Sequence, residues 1–183
     1  MARTRSRTGR TRGFTLPELL TALALFGVLL GIATPIYARY IAEQKLLGEA
    51  RRLSEAIMLA RSEAIRRNGY VMLCAGPLAE DCGAATHWHD GWTMFVDTNA
   101  DAEIGPDEPL IGREVAASPA VTLVGNRPVK AYFRFNFVGQ ARLASGALQM
   151  GTVEVCRPGL RGYLVVLANS CRTRIDRATG TCA

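Results

Sequence analysis

One stretch limits what this chain can become more than any other. Residues 14–37, FTLPELLTALALFGVLLGIATPIY, contain a single charge, Glu18. As an α-helix they are about 36 Å long, enough for a hydrocarbon core of roughly 30 Å. No second run of this length follows, so the chain reads as single-pass. Residues 1–13 hold five arginines and no acid. A basic flank of this kind stays cytoplasmic, which puts the residues after Tyr40 on the far side. A secretory signal peptide also has a basic start and an apolar stretch. Three features oppose it: the length of the run, the lack of an A-x-A site in the closing IATPIYARY, and the acid inside it. An ionisable group within a membrane segment is costly. Glu18 lies near the start of the helix, where the interface and the helix N-terminus reduce that cost.

Charge divides the remaining chain. The formal net charge of +6 comes from 22 basic and 16 acidic residues, and the leader alone carries five of the basic ones. Residues 73–126 have one basic and nine acidic residues, whereas 127–183 have nine basic and two acidic. Such asymmetry predicts surfaces of opposite sign on one fold. With 49% hydrophobic residues, two Trp, five Tyr and six Phe, the chain is too apolar for a disordered one.

Beyond Pro35 the helical pattern resumes. Tyr40, Leu47, Ala50, Leu53, Ile57, Ala60 and Ala64 recur at steps of three, four and seven, with charged residues largely between them. Asn68-Gly69 is a stop signal. Pro35 removes a backbone donor and marks either a kink or the membrane exit. After Tyr70 the pattern changes to short runs: YVMLC, GWTMFVD, PLIGREV, AVTLVG, AYFRFNFVG, ARLASGALQMG, TVEVC and GYLVVLA. These read as strands. Phe133, Phe135 and Phe137 share one face, and Gly139-Gln140 reads as a hairpin turn. The expected fold is α+β: a long N-terminal helix, membrane-spanning in its first half, with two small antiparallel sheets packed on its amphipathic second half.

The residues Arg12-Gly13-Phe14-Thr15-Leu16-Pro17-Glu18-Leu19-Leu20, preceded by the basic leader and followed by the apolar helix, resemble the class III signal of type IV pilins and type II secretion pseudopilins. The resemblance implies cleavage by a prepilin peptidase between Gly13 and Phe14 and N-methylation of Phe14. It makes Glu18 the acid that pairs with the terminal amine of a neighbouring subunit during assembly. A buried carboxylate needs such a partner. The domains are then a leader at 1–13, a transmembrane half-helix at 14–37, an amphipathic half at 38–68 and a periplasmic β-rich head at 69–183. The subunit sits in the inner membrane and enters a pilus or pseudopilus with other pilins or pseudopilins. Cys74, the W-x-x-G-W-x-x-F-x-D-x-N-x-D stretch from Trp88 to Asp101 and the Gly-Gln hairpin resemble the FimT/GspH group of minor pilins and pseudopilins.

Five cysteines lie on the expected periplasmic side, where disulfides persist. Cys74 and Cys82 close a short loop, and Cys156 pairs with either Cys171 or Cys182. No C-x-x-C is present, and His87 and His89 beside Trp88 read as part of a polar loop rather than a metal site. The run from Asp97 through Asn99, Asp101 and Glu103 to Glu108 imitates an EF-hand loop. Ala102 replaces the needed glycine, and Pro106 and Pro109 interrupt it, so an acidic connection rich in Asx-turns is the expectation, with calcium as the other reading. No catalytic motif and no cofactor site are found. The C-terminal segment places Arg172 and Arg174 two residues apart, resembling the tail motif of DNA-binding FimT-type pilins, with Cys171 where that motif has Gly. In an extended chain two such arginines are about 6.6 Å apart on one side and can each take a phosphate, with Arg177 widening the basic field. Two functions follow. One is a minor pilin that binds double-stranded DNA non-specifically for uptake; the other is a structural GspH-type pseudopilin of type II secretion.

Overall fold

The computed structural model describes residues 15–76, 82 and 87–182. The chain divides into two compact units, the first ending at Ile41 and the second starting at Ala42. The helix α1, Leu16–Arg67, contributes to both.

In the first unit α1 runs through Pro35 without interruption. Its large apolar side chains, among them Leu19, Leu23, Phe26, Leu29, Ile32 and Ile36, are exposed. Thr21 and Thr34 donate their hydroxyls back to the carbonyls of Glu18 and Leu30, at 3.0 and 2.7 Å. That is how a helix keeps hydroxyls satisfied where water is absent. Among the described residues, α1 alone is long and apolar enough to cross a membrane.

In the second unit α1 buries Leu46, Ala50, Leu53, Ala56, Ile57, Ala60 and Ala64. The buried stripe begins at Leu46 rather than at Tyr40 as the periodicity predicts, and it is Leu46 that is fully buried while Leu47 is only partly so. Tyr40 is exposed and takes no part in the core. Small residues at 50, 56, 60 and 64 let the sheets approach closely. The helix stops on left-handed Asn68 (φ 52), whose N–H donates to the Ile65 carbonyl while the Gly69 N–H donates to that of Ala64. This is a Schellman motif with Asn in the place usually taken by glycine.

Eight strands follow: β1 Tyr70–Ala75, β2 Trp92–Asp97, β3 Leu110–Glu114, β4 Thr122–Gly125, β5 Tyr132–Phe135, β6 Gly151–Cys156, β7 Arg161–Leu167 and β8 Thr173–Thr181. They form two four-stranded antiparallel sheets, ordered β3-β2-β1-β5 and β4-β6-β7-β8. In the first sheet Leu73 sits opposite Met94 and Phe133, and all three join the helix in the main core. The alternate residues Met72, Cys74 and Phe95 face away and form a second small core with Cys82, Ala102 and Ile104. In the second sheet Leu123, Val155, Val153, Val165 and Leu167 complete the main core.

Three strand expectations are corrected. The run 131–139 ends as a strand at Phe135. The Asn136 N–H then donates to Gln140 and the Gly139 N–H to Asn136, closing a turn. Gly139 has φ +76, and a Cβ there would lie 2.6 Å from Ile65 Cδ1, so the turn requires glycine. Phe133 and Phe135 are buried, but Phe137 sits in this turn and is 51% exposed. Residues 141–150 form no strand of their own; Ala141 bridges to Phe135, and Arg142 bridges to Leu148 within the run, before β6 starts at Gly151. Residues 173–181, read from sequence as a tail, are the edge strand β8.

Candidate functional site

Gly13 and Phe14, the expected cleavage junction, lie outside the described residues. Glu18 is in the first turn of α1, and its Oε2 accepts from the Thr15 N–H at 3.5 Å. It caps the start of its own helix from an exposed position, half of a capping box. One carboxylate has acceptor capacity for more than this single long contact.

The cysteines are resolved into two bridges. Cys74 is joined to Cys82, which places the bridge in the small second core. Cys156 is joined to Cys182, tying the end of β8 to β6. Cys171 remains a free, buried thiol in left-handed conformation (φ 55), and its sulfur accepts from the Ala141 N–H at 3.1 Å. The residue that replaces the expected glycine in the tail motif thus occupies a backbone conformation that glycine adopts most easily.

The acidic connection from Asp97 to Glu108 is folded upon itself. Asn99 Oδ1 accepts from the Asp101 N–H, and Asp101 Oδ1 from the Glu103 N–H. Glu108 accepts from Thr98 and Gly105 N–H groups at 2.7 and 3.0 Å. The Asn99 and Asp101 bonds are the Asx-turns the composition predicts, and Glu108 closes the connection across its length. Asp97 is buried and faces Arg134 at 3.2 Å, an ion pair whose Nε and Oδ2 are not aligned as a hydrogen bond. Burial pushes the Asp97 carboxyl above its ordinary range, opposed by the neighbouring guanidinium. Arg134 also donates to the Ala100 carbonyl at 3.1 Å and stacks on Tyr70 at 4.2 Å. It fastens the connection to the sheet, a role nothing in its local sequence signals.

In the C-terminal hairpin β7 and β8 pair with Val165 opposite Ile175 and Val166 opposite Arg174. Val165 and Ile175 pack in the main core, so Arg174 points outward, as do Asp176 and Leu164 in register. Arg172 precedes the strand at the hairpin's end and is exposed. Arg172 and Arg174 therefore flank the inward Thr173, which accepts from Ser54 on α1 at 2.9 Å. Arg174 is engaged by Asp176 at 2.7 Å. Arg177 lies opposite Tyr163, on the helix side; it donates to the Tyr163 hydroxyl at 3.3 Å and meets Glu43 of α1 at 3.5 Å. The three arginines do not share one side. Neither the Arg174–Asp176 pair nor Glu43 was signalled by the sequence, in which no strand is legible at 173–181.

Trp88, His89 and Asp90 form a 3-10 turn, with His87 extended just before it. One ligand atom from each of His87, His89 and Asp90 lies within 4.8 Å of the others. The sequence reading had no third ligand for the two histidines, because Asp90 is brought round only by the turn.

Comparison with known proteins is consistent across sequence and structure. Residues 49–171 match the family model described as Type II transport protein GspH, and residues 9–34 match the prokaryotic N-terminal methylation motif. The pilin-like protein PilA1 of Thermus thermophilus is 36% identical over 128 residues, covering 64% of this chain and 74% of that protein. The fold is similar to that of the type IV minor pilin FimU of Pseudomonas aeruginosa, with TM-score 0.53 and 14% identity over 78% of this chain and 99% of that one. It is also similar to the minor pseudopilin EpsH of the Vibrio cholerae type 2 secretion system, with TM-score 0.50 and 10% identity over 73% and 97% of the two chains.

Proposed function

Because the chain belongs to the Type II transport protein GspH family, whose members are structural rather than enzymatic subunits, we propose that it is a minor pilin or pseudopilin subunit built into a type IV pilus-like filament from the inner membrane. The observation that carries this reading is the first half of α1. Its apolar side chains are exposed around the whole helix, and Glu18 stands at its head. Such a surface needs lipid before assembly and neighbouring helices after it. The head starts in the amphipathic half of the helix, and residues 69–183 lie in the periplasm, where the two disulfides persist. A prepilin peptidase cuts between Gly13 and Phe14, and Phe14 is then methylated. The new ammonium of one subunit meets Glu18 of the next.

The test is Glu18→Ala. Processing should continue, since the junction is untouched, and N-terminal sequencing should still read Phe14 first. Removing an intramembrane charge eases insertion, so a membrane-retention defect is not expected. Incorporation into sheared filaments should fall to a small fraction of wild type. Normal incorporation sinks the pairing role, and a mature chain that begins at Met1 sinks the pilin-type processing.

A second reading is favoured by Arg172 and Arg174, which stand exposed on one side at the end of the β7–β8 hairpin. As a DNA-capturing minor pilin, the subunit contacts phosphates there without reading sequence. A structural pseudopilin of type II secretion needs no such contact.

A further inference from the structure

We propose that the turn His87-Trp88-His89-Asp90 is a binding site for a transition-metal dication of the zinc and copper class. One ring nitrogen from each histidine and one carboxylate oxygen of Asp90 supply the ligands.

The inference begins with Trp88. Its side chain is fully buried, and its indole N–H donates to the Val129 carbonyl at 2.9 Å. A buried residue at the centre of a short turn sends its neighbours outward. His87 leads into the turn in extended conformation and Asp90 closes it, so the turn brings the two to one end of the loop. The two imidazole centroids are 4.9 Å apart with the rings tilted by 48°. All three ligand atoms fall within 4.8 Å of one another. A tetrahedral ion with bonds of about 2.1 Å holds its ligands about 3.4 Å apart. Rotamer adjustment of roughly an ångström by the exposed His87 and Asp90 side chains, with the half-buried His89 as the fixed point, closes that gap.

The backbone beneath these ligands is fixed from both sides. The Gly91 N–H donates to the Trp88 carbonyl and the Ala117 N–H to the His89 carbonyl, at 3.3 and 2.8 Å. Gly91 has φ +101, and a Cβ there would lie 2.3 Å from the Glu114 carbonyl oxygen. Nδ1 of His89 is 3.4 Å from the Leu123 carbonyl oxygen. The Leu123 N–H lies at the same 3.4 Å from this Nδ1. With Nδ1 protonated the ring donates to the carbonyl and Nε2 keeps the lone pair a metal takes; with Nδ1 accepting from the Leu123 N–H, Nε2 carries a proton that the metal displaces. Ligating histidines are commonly oriented by an outer contact of this type. The surrounding segment, 73–126, has nine acids and one base, which favours a cation further.

Two nitrogens and one oxygen select borderline metals over calcium or magnesium, which take oxygen ligands. Three protein ligands leave a coordination position open to water. The turn leads into β2 of the first sheet and touches β4 of the second through Leu123. A bound ion therefore stiffens the connection between the sheets, and binding to the folded state alone raises its stability.

The chain has two histidines, so an untagged protein makes the assignment unambiguous. The full-length chain in detergent is titrated with Cu2+ and followed by electron paramagnetic resonance. The expected result is one equivalent bound with couplings from two imidazole nitrogens, displaced by Zn2+ only in large excess, and, without copper, a Zn2+-dependent rise in melting temperature. His89→Gln should leave one nitrogen coupling and weaken binding at least 10-fold, and Asp90→Asn should weaken it about 10-fold, within the range for altered metal sites. Both variants are first melted in metal-free buffer. Should His89→Gln fail to fold, the exposed His87→Gln takes its place with the same expectation. A wild-type spectrum with fewer than two imidazole nitrogens overturns the site, as does unchanged affinity in a folded histidine variant.

Discussion

Arg134 is nearly enclosed, with the Asp97 carboxylate 3.2 Å from its Nε and the Tyr70 ring 4.2 Å from its guanidinium. Two desolvated charges roughly offset the cost of burying each other, but one left alone is expensive. Arg134→Met should therefore destabilise the head by about 3 kcal/mol near neutral pH, the usual cost of stranding a buried partner. The pH dependence has a definite sign. Burial raises the folded-state value of Asp97, so the folded state holds its proton more tightly than the unfolded state. Stability then falls as pH climbs from the ordinary aspartate value, about 4, through the raised folded one. Without Arg134 that folded value rises further. The penalty of Arg134→Met should consequently shrink in acid, where Asp97 is neutral. Urea denaturation of the full chain at acidic and neutral pH measures it, and an equal loss at both shows that the pair is not what Arg134 supplies.

At the level of elements, β8 shows where sequence reading stops. The helix was legible because its apolar residues recur at three and four positions and Asn68-Gly69 ends them. Strands such as β1, β2 and β7 were legible as apolar runs between turn residues. β8 reads Thr-Arg-Ile-Asp-Arg-Ala-Thr-Gly-Thr, with Ile175 as its one large apolar residue, so no burial pattern announces it. Pairing with β7 and the bridge from Cys182 to Cys156 hold it instead. Both are long-range, and sequence left Cys156 with two partners. Gly162 is part of the same arrangement, because a Cβ there would meet the sulfurs of Cys182 and Cys156 at 3.0 and 3.1 Å. The acidic connection was legible as Asx-turns, but its fastening by Arg134 was not, since that residue is 37 positions from Asp97. Replacing both cysteines by alanine frees a crosslink spanning 26 residues. The chain-entropy relation puts the loss at about 3.5 kcal/mol. Denaturant titration should show a lower midpoint, and amide exchange should accelerate first at residues 178–182. Unchanged exchange there would mean that β7 pairing alone holds the strand.

Across the whole molecule, sequence segments of opposite charge become different parts of the head. Residues 73–126 carry net −8 and supply β2, β3 and β4, while 127–183 carry net +7 and supply β5 to β8. Positive sequence does not make a uniformly positive face, however. The outward side of the second sheet sets Glu154 and Asp176 in one row across Leu164 and pairs Asp176 with Arg174, and Arg177 is turned to Glu43. Phosphate contact therefore falls chiefly to Arg172 at the hairpin's end, with Arg174 available only when it leaves Asp176. If the subunit captures DNA, the full chain in detergent should bind duplex weakly and without sequence preference, with log K falling by about 0.9 per decade of salt for each phosphate held. Arg172→Ala should remove about one such unit of slope. Asp176→Asn should do the reverse: it releases Arg174, deletes a repulsive charge and should steepen the slope by up to about one unit. Charge alone cannot produce that pattern at a distance, so Glu103→Gln, on the acidic connection, serves as a matched control that changes net charge equally. Gel-shift titrations at two salt concentrations distinguish the cases. Equal gains from Asp176→Asn and Glu103→Gln leave only a general electrostatic effect. An absence of binding by wild type at low salt removes DNA capture and leaves the structural filament role.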